Sequence, residues 1–153
     1  AIRVPSNGVV HTTEDVDEEY SYTPKYKVAH EGSQVAIIAA GSFYQKGENV
    51  AHLLAEKGID ATLINPRYLH AVDASALESL KARHQLVVTL EDGCKDGGFG
   101  ERIASYYGTS DMKVLVCGVK KNLYDRFDHQ QLLADNRLLA NQIADDILNI
   151  IKK

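Results

Sequence analysis

Two runs almost free of polar side chains constrain this chain more than any other feature: Val35-Ala36-Ile37-Ile38-Ala39-Ala40 and Leu86-Val87-Val88-Thr89-Leu90. Successive side chains of a strand point to opposite faces, so a strand with one wet face alternates apolar and polar residues. A run without that alternation marks a strand covered on both faces, as in parallel sheets flanked by helices. The segments between such runs carry helical periodicity. After the first run, Gly41 ends the strand and Ser42 is the expected helix N-cap. Val50, Ala51, Leu53 and Leu54 then fall at helical spacing, and Lys57-Gly58 closes the helix with a cation and a C′ glycine.

The unit recurs. Ala61-Thr62-Leu63-Ile64 reads as a strand with Asn65-Pro66-Arg67 as its exit loop, and Asp73 caps a helix carrying Leu77, Leu80 and Ala82. The second apolar run comes next, then a helix after Gly97-Gly98 with Ile103, Ala104 and Tyr107, then the strand Val114-Leu115-Val116-Cys117. Residues 138–151 form an amphipathic helix with Leu139, Ile143, Ile147 and Ile150 near one stripe. Tyr26-Lys27-Val28-Ala29-His30 precedes all of this as an edge strand ending in the turn Glu31-Gly32. That connection is too short for a parallel crossover, so this strand runs antiparallel to whichever strand it adjoins. The expectation is an α/β fold: three layers, α/β/α, around a mixed five-stranded sheet, mostly parallel with one antiparallel edge strand.

Composition removes several functions. The formal charge of -4 over 153 residues leaves no basic footprint for nucleic acid. No apolar run approaches the roughly 20 residues that span a bilayer, so no membrane partner is expected. Cys94 and Cys117 are too few and too far apart for a disulfide framework and read as reduced thiols of a cytoplasmic protein. The histidines do not cluster: His30 lies in the edge strand, His52 in a helix, His84 at a helix end and His129 in a loop. No pair has the i, i+4 spacing of a helical metal site. No metal is assigned to this chain.

In an open parallel sheet, ligands bind beyond the carboxyl ends of the strands. The richest loop there runs from Glu91 to Gly100. Gly97, Gly98 and Gly100 before a helix could offer backbone N–H groups to an anion. The spacing matches neither a dinucleotide fingerprint nor a Walker loop, and acidic residues flank it. The expected role of the glycines is a tight turn with close packing. Arg67 and Glu91 leave what read as adjacent strand ends and are expected to form an ion pair that holds the loops. Ser42 lacks the G-x-S-x-G setting of a hydrolase nucleophile. No catalytic residue is assigned. Leu123-Tyr124-Asp125-Arg126-Phe127 reads as an apolar-aromatic loop suited to packing on a neighbour.

Ala1-Ile2-Arg3-Val4 reads as a strand ended by the turn Pro5-Ser6-Asn7-Gly8, and the acidic stretch up to residue 23 as a linker. The unit from Tyr26 onward is complete without that opening strand, which is therefore expected to belong elsewhere.

Taken in order, "AIRVP" (1–5), "INPRYLHAVD" (64–73) and "LVVTLEDGCKDGGFGERI" (86–103) resemble the C-terminal domain of the transketolase superfamily, most closely the 1-deoxy-D-xylulose-5-phosphate synthases. The resemblance implies a layout of 1–5 as the end of a preceding pyrimidine-binding domain, 6–23 as an interdomain linker and 24–153 as the transketolase C-terminal-like domain. It implies a parent enzyme that uses thiamine diphosphate and magnesium to transfer two-carbon units, here in isoprenoid biosynthesis. Both cofactors would be held by upstream domains, none by this chain, and the parent would be a homodimer. The chain alone would be an inactive, dimer-supporting domain. Ser6 stands where the family has an Arg that holds substrate phosphate, and serine lacks the charge and fork of that group. Two alternatives stand beside this: a stand-alone flavodoxin-like module for an anion or nucleotide, and the domain of a beta-type subunit of a 2-oxo-acid dehydrogenase or split transketolase.

Overall fold

The computed structural model describes residues 25–152. The readings of Ala1 to Pro5, of Ser6 and of the acidic linker lie outside the described residues. The elements are β1 (Lys27–His30), β2 (Gln34–Ala39), α1 (Tyr44–Ala55), β3 (Thr62–Asn65), α2 (Ala74–Leu80), β4 (His84–Cys94), α3 (Phe99–Tyr107), β5 (Lys113–Val119), α4 (His129–Asp135) and α5 (Ala140–Ile151). The five strands form one sheet in the order β1-β3-β2-β4-β5. Only the β1–β3 pair is antiparallel; β2–β3, β2–β4 and β4–β5 are parallel.

The apolar runs behave as two-faced strands must. Val35, Ile37 and Ala39 of β2 join Leu86, Val88 and Leu90 of β4 in one core, sealed by Val50 and Leu54 of α1, Leu133 of α4, and Ile143 and Ile147 of α5. Ala36, Ile38, Ile64 and Val87 face the opposite way, under Leu77 and Leu80 of α2 and Ile103 and Tyr107 of α3. Each large apolar side chain among these, fully buried, contributes about 1.5–3 kcal/mol. Both cores close within the described residues, which makes the three layers.

β1 does not pair with β2, the next strand in the chain. It pairs with β3, and the turn after it crosses the amino end of β3 to reach β2. Ser33 N–H donates to the Asp60 carbonyl at 2.8 Å and Gly32 N–H to Thr62 Oγ1 at 2.8 Å. A Cβ on Gly32 would run into the Asp60 carbonyl, so only glycine allows this crossing. Asp73 caps α2 as its position predicts, accepting from Ala76 N–H at 3.0 Å. Gly58 takes φ +80 after α1, and Ile59 N–H returns to the Leu54 carbonyl at 3.0 Å, a Schellman closure.

Three local readings are corrected. Ser42 lies in a 3-10 turn (Gly41–Phe43) ahead of α1, which has no side-chain cap; its hydroxyl donates instead to Asp92 Oδ2 at 3.1 Å. His129 is not in a loop but opens α4, a helix capped by Asp128, which accepts from Gln131 N–H at 2.8 Å. His84 is not at a helix end but is the first residue of β4.

His84 ties the amino edge together. Nδ1 lies 2.9 Å from the Leu80 carbonyl and Nε2 2.8 Å from Thr62 Oγ1. A carbonyl only accepts, so Nδ1 carries the proton and Nε2 accepts from the Thr62 hydroxyl. Burial holds the pKa of His84 below the ordinary 6.5, against the Leu80 bond, which raises it. The unfolded chain therefore binds this proton more readily than the folded one, so stability is full above about 6.5 and falls as pH drops through the folded value. In urea titrations at falling pH, His84→Gln is expected to start less stable but to lose less between pH 7.5 and about 5. Parallel pH profiles for the two proteins would show that His84 carries no such linkage.

Candidate functional site

The carboxyl edge of the sheet is where this fold presents its loops, and its centre is Glu91. β4 runs past its neighbours, with a register irregularity between Leu90 and Cys94, and Glu91 lies in that extension with only 8% of its surface exposed. Its carboxylate turns into the start of α3. Oε2 accepts from Phe99 N–H at 2.9 Å and Oε1 from Gly100 N–H at 2.8 Å. Gly97 N–H donates to Glu101 Oε2 at 2.7 Å, and Gly98 N–H to the Lys95 carbonyl at 3.1 Å. Every N–H from Gly97 to Gly100 thus has a partner inside the chain. The anion that a glycine-rich helix start attracts is supplied by this chain's own carboxylate.

The glycines of the loop serve that contact. A Cβ on Gly98 would lie 2.5 and 2.7 Å from the two Glu91 oxygens, and one on Gly100 would press on Thr89 and Val116. Gly97, at φ +76, makes the turn.

Arg67 is elsewhere. β2 stands between β3 and β4, so the exit loops of Arg67 and Glu91 are not adjacent and the expected ion pair does not form. The Arg67 guanidinium instead donates from Nε and Nη2 to the Lys25 carbonyl, at 3.3 and 3.2 Å, holding the start of the described chain against the β3 exit loop.

Two groups at this edge escaped sequence reading. Lys46 of α1 has a buried Nζ with no hydrogen-bond partner, 4.0 Å above the centre of the Phe43 ring. Burial lowers its pKa, while Asp92 pulls it back up. The Thr89 hydroxyl is buried and unpartnered. Cys117 is buried and its thiol is pushed up to about 12, so it is no nucleophile near neutral pH, whereas Cys94 is exposed. No local motif marks Lys46 or Thr89; their burial comes from the packing of α1 and α3 on the sheet.

Among the described residues no three His, Cys, Asp or Glu side chains converge as a metal site. The α3 amides that would meet a diphosphate already hold Glu91. The described residues therefore do not fit a thiamine diphosphate–magnesium centre.

Glu91→Gln removes the charge and turns an NH2 toward one of the two helix amides. It is expected to cost about 2–3 kcal/mol in urea unfolding, with faster amide exchange at Phe99 and Gly100. Unchanged stability and exchange would mean the carboxylate does not hold the loop.

The geometry has counterparts among known proteins. The family model for the transketolase C-terminal domain matches residues 24–143. The 1-deoxy-D-xylulose-5-phosphate synthase of Gloeothece citriformis is 34% identical over 128 residues, 81% of this chain and 20% of that protein. The synthase of Lachnoclostridium phytofermentans is 32% identical over 150 residues, 96% of this chain and 24% of that protein. The chain thus spans about a fifth to a quarter of the length of these curated relatives. A solved chain described as a split gene transketolase in an inactive beta4 tetramer superposes with a TM-score of 0.75 at 24% identity, over 89% of this chain and 44% of that one. A transketolase from Pichia stipitis superposes with a TM-score of 0.57 at 10% identity, over 82% of this chain and 18% of that one. With its sheet order, its single antiparallel strand and this match, the chain belongs to the transketolase C-terminal domain family.

Proposed function

We propose that the chain is the carboxyl-terminal domain of a thiamine-diphosphate-dependent enzyme of the 1-deoxy-D-xylulose-5-phosphate synthase or transketolase type, working in the cytoplasm. The intact enzyme transfers a two-carbon unit between carbonyl substrates, on cofactor and magnesium held by domains outside this chain, and is a homodimer. This domain supports those domains and carries no chemistry itself. The observation that carries the reading is the filled helix start: where a ligand would sit in a stand-alone anion or nucleotide module, Glu91 already occupies the Phe99 and Gly100 amides. A second reading, with the cofactor part on a separate polypeptide, is favoured by the likeness to a chain described as split gene transketolase.

Ser6, outside the described residues, is our candidate for an altered acceptor subsite. A neutral hydroxyl in place of a guanidinium favours an acceptor without a phosphate.

Titration calorimetry decides the main point. Residues 1–153 alone are expected to take up no thiamine diphosphate at micromolar concentrations, while the intact enzyme binds it and turns over a ketol donor. Micromolar binding to the chain alone would sink the reading. In the intact enzyme, Ser6→Arg is expected to raise kcat/KM for a phosphorylated acceptor at least tenfold, about 1.4 kcal/mol; no gain would remove the subsite assignment.

A further inference from the structure

The exposed apolar side chains are not scattered. Among the described residues the large ones are Val28, Leu69, Leu123, Tyr124 and Phe127. All but Val28 project from loops that leave the carboxyl ends of strands: Leu69 from the β3 exit, and Leu123, Tyr124 and Phe127 from the β5 exit. Leu123 is 98% exposed and Phe127 56%. An apolar loop held this far into water is the signature of a surface made to be covered.

The β5 exit loop is also held in shape. Lys121 N–H donates to Asp96 Oδ2 at 3.2 Å, the Tyr124 hydroxyl donates to the Lys120 carbonyl at 3.1 Å, and the Tyr124 and Phe127 rings meet edge to face at 6.0 Å. Asp128 then starts α4. Leu123 is thus presented from a braced loop, which lowers the ordering cost of a contact.

The path of the incoming chain identifies the occupant. β1 is antiparallel to β3, so its first residue, Lys27, lies opposite Asn65, the last residue of β3. Ahead of it, the Lys25 carbonyl is held by Arg67 in the β3 exit loop. The polypeptide therefore enters this domain at the same edge that displays the apolar side chains. The relatives carry about four-fifths of their length outside the matched region, and the matching family is by description a C-terminal domain. The β3 and β5 exits lie three strand spacings apart, roughly 14 Å, which fits within one face of a standard interface of about 800 Å² per partner.

We propose that the carboxyl edge of the sheet, with Leu123, Tyr124 and Phe127 at one end and Leu69 at the other, is the surface on which the cofactor-binding part of the enzyme docks. The assignment rests on the carboxyl-terminal-domain reading above and adds the contact face to it.

The test co-expresses residues 1–153 and the natural cofactor-binding part as separate chains and measures their association by surface plasmon resonance. The double variant Leu69→Asp, Leu123→Asp is expected to bind at least tenfold more weakly, while its own unfolding midpoint stays that of the parent chain, because both side chains are exposed and neither ring of the Tyr124–Phe127 pair is altered. Asp111→Lys, in the turn before β5 at the opposite edge, is expected to bind like the unaltered chain. Unchanged binding by the double variant would overturn the face. Failure of the unaltered chain to associate at all would overturn the domain reading and the face with it. Sedimentation showing that the unaltered chain self-associates, that the double variant does not, and that both bind the cofactor part equally would give the face to a second copy instead and overturn the proposal.

Discussion

The carboxylate of Glu91 lies inside the turn between β4 and α3, closing two helix amides that would otherwise face a glycine-rich opening. Burying a charge is costly unless hydrogen bonds and a favourable field offset it, and here two N–H donors and the helix start provide both. The contact demands glycine at 98 and 100, because any Cβ there would occupy the space of the carboxylate or of Thr89. Closing the turn also fixes its neighbours: Lys95 N–H reaches the Val119 carbonyl at 3.0 Å, and Asp96 reaches Lys121. The geometry of the β5 exit loop is therefore inherited from one carboxylate two elements away.

The two edges of the sheet are built differently. The amino edge is stitched by short polar links among Gly32, Thr62, His84 and Leu80, and the chain crosses there with no space for a side chain. The carboxyl edge keeps one locked turn at its centre and long loops at either side. A scaffold of this kind can exchange the side chains at one edge while its cores and its other edge stay constant.

Much of this was legible in the residues. The unalternating runs at 35–40 and 86–90 announced two-faced strands, and Asp73 and Gly58 marked their helix ends by chemistry that acts over a few residues. The β1 partner was not legible: short connections favour neighbours in sequence, and the crossing to β3 depends on a steric gap at Gly32 that appears only when Asp60 is in place. The Arg67–Glu91 pairing failed for the same reason, since strand order is a long-range property and β2 intervenes. α4 was missed although Asp128 followed by Gln131 at the third position is a helix-start pattern; the surrounding polar residues masked a helix that buries Leu133 alone. At the candidate site, the loop was found, but its filling by Glu91 was not, because a glutamate beside glycines reads as a flank until its rotamer is known.

The separation of the thiols gives the chain an internal reporter. Cys117 is buried in β5 with its proton firmly attached, while Cys94 ends β4 in the open, just before Lys95 and Asp96, which hydrogen-bond to Val119 and Lys121 at the β5 exit. A fluorophore attached through maleimide chemistry would therefore settle at a single position, beside the Glu91 turn, and its emission would register any body that comes to shade that side of the molecule.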